Sequence, residues 1–244
     1  MDEDDTRPEA IAPAAVVGEI ASDRPLDLGH LRSLSEPDRD TLTALLLLWP
    51  TLEPARRREV LAAMQQLEEN DPGLDFHRVA LTSIRDPDPA TRMLAVRGLL
   101  EQDRVEYMRL LATQLREDPT PMVRVEIAKV LANYVLGLEF GLLAEDDAET
   151  LTAALREAIE DVDETDDVRG SALEALGAWS DESTAELISE LYEIGSPLLR
   201  LSAIRAMGRN ASEGWLELLI YHFDDEDADI RAAAAQAAGE IGRA

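Results

Sequence analysis

Arginine recurs at Arg92, Arg124, Arg169, Arg200 and Arg231, at spacings of 32, 45, 31 and 31 residues. A guanidinium is a planar fork of donors that grips phosphate or carboxylate, so a regular row of them could hold an anionic ligand. An aspartate, however, stands six residues before four of the five: Asp86, Asp118, Asp163 and Asp225, with Ile194 breaking the series. A ladder of Arg–Asp contacts between adjacent turns accounts for both residue types without a ligand. The five arginines are therefore read as structural repeat residues.

Other residues able to do chemistry are sparse. The three histidines, His30, His77 and His222, form no His-x-x-x-His or Glu-x-x-His pair, which leaves a zinc or di-iron site unsupported. No phosphate-binding glycine loop, dinucleotide fingerprint or nucleophile elbow occurs. The acid runs Asp146–Asp147 and Asp224–Asp227 lack calcium-loop spacing and are placed in turns. The chain has no cysteine, hence no disulfide, thiol nucleophile or thiolate-held metal. No catalytic residue, metal or cofactor is assigned. Trp179, Trp215, Tyr221 and Phe223 are expected in the core.

The elements that position the arginines follow from their surroundings. Four residues before each stands Asp88, Thr120, Thr165, Ser196 or Asp227, all good helix N-caps. Pro89, Pro121 and Pro197 come next, at the first helical position where a missing N–H costs nothing. Positions −1, +3, +4 and +7 around each arginine are mostly apolar, as in Val123, Ile127, Ala128 and Leu131, a stripe of period 3.6. Gly177, Gly208 and Gly239 at +8 read as helix stops. A second helical pattern follows in most units, over 105–115, 150–159, 184–194 and 215–223. Each unit is thus a helix pair of about 31 residues that must stack on its neighbours to hide its apolar face.

The wording Asp-Pro-Asp-Pro-Ala-Thr-Arg (86–92), Asp-Pro-Thr-Pro-Met-Val-Arg (118–124) and Asp-Glu-Asp-Ala-Asp-Ile-Arg (225–231) resembles the HEAT repeat. So do the endings Ala-x-x-Ala-Leu-Gly (172–177) and Ala-x-x-Ala-Met-Gly (203–208). The resemblance covers roughly 51–242 and is narrower toward the short HEAT-like class of phycobilisome lyases. It implies an all-α fold, a right-handed α-solenoid of stacked antiparallel helix pairs whose second helices line the concave side. It names no partner.

The organisation along the chain follows from the same rhythm. Residues 1–34 read as a largely disordered acidic and Ala/Pro-rich tail, in which the apolar stretch 11–20 docks as a short helix or serves as a binding motif. Residues 35–87 read as a capping helix opened by Ser35, with an acid at N3, followed by a degenerate repeat in which Arg57 takes the arginine position and Val60, Leu61 and Met64 the stripe. Residues 88–244 hold the regular repeats, with an insert near 134–147 and an incomplete last unit. That last unit is either a capping helix or the edge of a longer solenoid of which this chain is a fragment.

Charge bounds the partners. Fifty-one acids face 23 bases, for a net charge of −28, and Lys129 is the only lysine. Such a chain repels a phosphate backbone, which disfavours nucleic acid and HEAT-like glycosylases that use a basic groove. The acid reads either as a solubilised or salt-adapted surface or as attraction to a basic partner. No apolar run is long enough for a membrane span and no secretory signal is recognisable, so a cytoplasmic protein is expected.

The candidate partner contacts are of two kinds. Tyr134, Leu138, Phe140 and Leu142 lie in the apolar insert, which either extends a helix onto its neighbour or forms an exposed patch. Glu182, Glu186, Glu190 and Glu193, with Glu213 and Glu217, recur every three or four residues and form an acidic strip. The expected function is a non-enzymatic scaffold or adaptor that binds a protein with a basic segment. The alternative is a HEAT-like enzyme such as a bilin lyase, in which the reactive thiol belongs to the substrate.

Overall fold

The computed structural model describes residues 12–243, among which there are fourteen α-helices and no strand. They fall into two compact units divided after Gln102. The architecture is the all-α helical repeat that the periodicity implies.

The first unit contains α1 (Pro13–Ile20), α2 (Leu28–Leu31), α3 (Arg39–Leu48), α4 (Pro54–Asn70), α5 (His77–Leu81) and α6 (Pro89–Arg97). Residues 12–34, expected to belong to a largely disordered tail whose stretch 11–20 docks as a short helix or serves as a binding motif, contain α1 and α2; residues before 12 lie outside the described region. Helix α1 packs on α3 and buries Val16, Val17 and Ile20, because three apolar residues on one face outweigh the ordering cost of two turns. The capping residue also differs. Asp38, not Ser35, caps α3 by accepting the Thr41 N–H at 2.8 Å. Ser35 instead accepts the Asp75 N–H, and Glu36 sits at φ 46°. The degenerate repeat is regular inside: Val60, Leu61 and Met64 of α4 are all buried, and α4 packs on α6.

The second unit contains α7 (Val105–Glu117), α8 (Pro121–Glu139), α9 (Glu145–Glu160), α10 (Asp166–Leu176), α11 (Glu182–Ile194), α12 (Pro197–Asn210), α13 (Leu216–Tyr221) and α14 (Ala228–Ile241). The arginine-bearing helices form a continuous row: α8 packs on α10, α10 on α12 and α12 on α14. The alternate helices α7, α9, α11 and α13 each pack on the arginine helix that follows. All five expected caps stand at their positions, and Asp88, Thr165, Ser196 and Asp227 accept a backbone N–H of the first turn. The predicted stripe is buried throughout α10 and α12.

Two departures have clear causes. Of the three glycines expected as stops, Gly177 alone ends its helix. Gly208 lies inside α12, which stops instead at Ala211 in the left-handed region at φ 56°, and Gly239 lies inside α14. Gly177 and Gly208 serve close helix approach: a Cβ at Gly177 would come within 2.9 Å of the Ala206 carbonyl oxygen, and one at Gly208 within 2.6 Å of Ala237 Cα. In α14 the buried face is Ala233, Ala234, Ala237 and Ile241, while Ala235 of the predicted stripe is exposed. The helices that pack on α14 are α12 and α13, both preceding it, so the +4 side has no helix against it among the described residues.

The long gap between Arg124 and Arg169 is taken up mainly by helix extension. Helix α8 runs for 19 residues and ends in a Schellman turn. There the Leu142 N–H donates to the Gly137 carbonyl, the Gly141 N–H donates to that of Leu138, and Gly141 takes φ 69°.

Candidate functional site

Three arginines meet the aspartate six residues before them through its backbone. Arg92, Arg124 and Arg231 donate to the backbone carbonyls of Asp86, Asp118 and Asp225. The carboxylates of those aspartates accept the N–H of Asp88, Thr120 and Asp227, each at 2.9 Å. The aspartate thus shapes the turn and the arginine closes it.

Carboxylate pairing occurs across repeats. Arg57 reaches forward to Asp86: Nη2 donates to Oδ1 at 3.1 Å, and Nε lies 2.9 Å from Oδ2 at an angle too oblique for a hydrogen bond. Both side chains are buried. Arg124 grips Glu164 through Nε–Oε2 at 2.6 Å and Nη2–Oε1 at 2.8 Å. Burial alone would raise the Glu164 carboxyl, but the Arg124 guanidinium and the Thr165 N–H hold it below its ordinary value. One rule covers both rungs: the arginine of one repeat is neutralised by an acid in the turn that opens the next.

The rule fails at Arg200, whose Nε donates to the Tyr192 carbonyl at 3.2 Å, and at Arg169. The next turn reads Ile194-Gly195-Ser196 and offers no acid. Arg169 Nε donates to the Ile159 carbonyl at 2.9 Å, and Nη1 stands 3.8 Å from Asp166 Oδ1, beyond hydrogen-bond reach. Its side chain is 16% exposed, and its two η nitrogens have no hydrogen-bond partner among the described residues. It borders an open cleft of about 400 Å³ between the C-terminal ends of α9 and α11 and the starts of α10 and α12. Ile159, Leu187, Leu191 and Leu199 line the cleft with Val162 and Ile194, which are 80% and 73% exposed. Glu160, Asp166 and Glu190 also line it.

The acidic strip predicted on α11 exists as a surface. Glu182, Glu186, Glu190 and Glu193 are all exposed, while Thr184, Ile188 and Leu191 are buried on the opposite side. Glu213 and Glu217 are exposed as well.

The insert residues divide. Tyr134 is buried, its hydroxyl donates to the Arg104 carbonyl at 3.3 Å, and burial pushes its phenol up to about 12. It is a packing residue and not a free contact. Leu138 is half-buried. Phe140 and Leu142 are 69% and 76% exposed, with Leu136 exposed beside them. Glu139 fastens this elbow to the α10–α11 turn by accepting from the Ser180 N–H and hydroxyl.

Several residues have roles that spacing did not reveal. Tyr221 and Phe223, expected in the core, are exposed together with Ile220. Asn210 is buried and bridges repeats, donating to the carbonyls of Gly177 and Trp179 and accepting from Trp215 Nε1 at 2.9 Å. His222 is buried between Tyr192 and Asp225, with Nε2 2.6 Å from the Tyr192 hydroxyl and Nδ1 2.9 Å from Asp225 Oδ2. Burial raises the Tyr192 phenol, so this chain of hydrogen bonds fastens two repeats and does not generate a phenolate. Asp147 lies in the first turn of α9 and accepts from Arg109 Nε at 2.6 Å. The one sequence signal for the cleft was Ile194, the break in the aspartate series. Among the described residues no group of three or more His, Asp and Glu is placed to hold a metal.

The helix pairs, the stepped row of arginine helices and the turn chemistry agree with what a family model finds: residues 152–239 match HEAT repeats. Residues 152–239 are HEAT repeats. The cleft at Arg169 and the α11 strip both lie within these HEAT repeats. No curated protein matches the chain. Among solved structures, a designed armadillo repeat protein is 12% identical, with a TM-score of 0.46, over 94% of this chain and 100% of that one. An engineered protein is 17% identical with a TM-score of 0.47, over 95% of this chain and 96% of that one. Human deoxyhypusine hydroxylase, solved in complex with glycerol, is 16% identical with a TM-score of 0.37, over 95% of this chain and 96% of that one.

Proposed function

We propose that the chain is a non-enzymatic adaptor that uses its HEAT repeats to hold a protein partner bearing a basic segment. The observation that carries this reading is the pairing of two kinds of exposed surface in the second unit. Acid is concentrated along one side of α11, and large apolar side chains stand in solvent at Phe140, Leu142, Val162 and Ile194. Exposed apolar side chains beside charge are characteristic of recognition surfaces. The acid sets which partners approach and the apolar contacts set how long they stay. A cytoplasmic setting and the exclusion of nucleic acid belong to the same reading, the latter because a net charge of −28 opposes a polyanion.

The test uses the immobilised full chain and two variants, Glu182→Gln/Glu186→Gln/Glu190→Gln/Glu193→Gln and Phe140→Ser/Leu142→Ser. A protein retained by the parent is expected to elute with salt and to be lost from the first variant, with weaker retention on the second. Retention indifferent to both variants, or no retention by the parent, overturns the reading.

A further inference from the structure

We propose that the cleft at Arg169 is a docking site for the carboxyl terminus of a partner protein whose last residue is apolar and whose preceding residues include arginine or lysine. The proposal rests on the adaptor reading and names the partner's recognised feature.

The argument starts from the broken rung. At Arg57 and Arg124 the guanidinium is answered by a carboxylate from the next turn. At Arg169 that position is Ile194, and the η nitrogens, whose outward N–H groups can take a carboxylate end-on, have no hydrogen bond, with Asp166 Oδ1 3.8 Å from Nη1. A carboxylate supplied by another chain meets the two η nitrogens end-on, because Nε, which Arg124 uses on Glu164, is already given to the Ile159 carbonyl. The remaining walls select what accompanies it. Ile159, Leu187, Leu191 and Leu199 with the exposed Val162 and Ile194 favour an apolar side chain. The cleft's volume of about 400 Å³ falls within the usual small-ligand range of roughly 300–1,000 Å³, room for the end of a chain.

Charge then separates a chain end from a simple anion. Glu160, Asp166 and Glu190 border the same cleft and repel a lone carboxylate. A carboxylate preceded by cationic side chains satisfies both signs at once. Glu190 is also one member of the exposed α11 series, with Glu186 and Glu182 one and two turns further along the helix. Basic residues upstream of the anchored end therefore meet acid for two more turns.

Two pools of synthetic octapeptides, random in sequence, are passed over the immobilised full chain, one with free carboxyl termini and one amidated, and the bound sequences are read by mass spectrometry. The free pool is expected to enrich apolar last residues preceded by Arg or Lys. Amidation should weaken retention about tenfold or more, the scale of one charge-assisted hydrogen-bonded pair. Arg169→Gln should abolish the enrichment with an unchanged circular dichroism spectrum. Ile194→Asp, at an exposed position, should abolish it too, because it returns the missing carboxylate to the rung. Equal enrichment from both pools overturns the chain-end proposal while leaving internal-segment binding, and with it the adaptor reading, intact. Enrichment that survives both substitutions also overturns it. No enrichment from either pool overturns it as well, and the adaptor reading is then decided by the retention experiment on its own.

Discussion

Asp86 shows how much a single buried charge depends on its partner. Its carboxylate is almost fully enclosed, and Arg57 is the cation beside it. Arg57→Met removes the guanidinium paired with that carboxylate, and a loss of about 3–5 kcal/mol is expected, read as the shift in a urea unfolding midpoint. Glu164 makes a pH-dependent prediction. Its carboxyl is held below its ordinary value in the folded chain, so its stabilising contribution is complete above the ordinary carboxylate range. The contribution is lost as pH falls through the depressed value. Glu164→Gln should therefore lower the urea midpoint at pH 7, and the difference from the parent should shrink toward pH 3. A difference that stays constant with pH would show that the carboxylate charge has no part in it.

At the scale of the helix, small residues set how closely neighbours approach. Gly177 faces Ala206 across the α10–α12 contact with no room for a Cβ. Gly177→Val should force those helices apart and cost about 1–3 kcal/mol or more, visible in a thermal melt. Ala211 offers the opposite test. It ends α12 in the left-handed region, which glycine enters without a steric penalty. Ala211→Gly is expected to raise stability by about 0.5–1 kcal/mol after the entropy of the unfolded glycine is deducted. Any clear loss of stability would show that the Ala211 methyl makes contacts that outweigh its backbone strain.

For the whole molecule the governing quantity is charge. Fifty-one acids and 23 bases repel on balance, and folding confines that charge to a smaller volume. Added salt should relieve the repulsion, since the screening length falls from about 10 Å at 0.1 M to about 3 Å at 1 M. The urea midpoint is expected to rise between 0.05 and 1 M sodium chloride, roughly in line with that screening. A midpoint that does not move would mean that attractive pairs such as Arg124–Glu164 balance the repulsion. Among the described residues, no helix is long and apolar enough to cross a membrane.

The sequence by itself determined the repeat. Caps at Asp88, Thr165, Ser196 and Asp227, prolines at the first helical turn and the buried stripe beside Arg124, Arg169 and Arg200 are local properties, decided within a few residues by backbone hydrogen bonding and helical period. It also placed the α11 acids on one face, because that face follows from spacing alone. What only the tertiary structure decided lies between repeats. Arg92, Arg124 and Arg231 close their own turns through backbone carbonyls, and Arg57 and Arg124 meet carboxylates one repeat ahead, a pairing invisible to spacing because its distance in sequence changes with each connection. Tyr134 is buried while Phe140 and Leu142 stand in solvent, because the insert lengthens α8 and turns only at Gly141. The cleft at Arg169 exists for the same reason: a missing acid at Ile194 becomes a binding surface only once stacking has set two repeats around it.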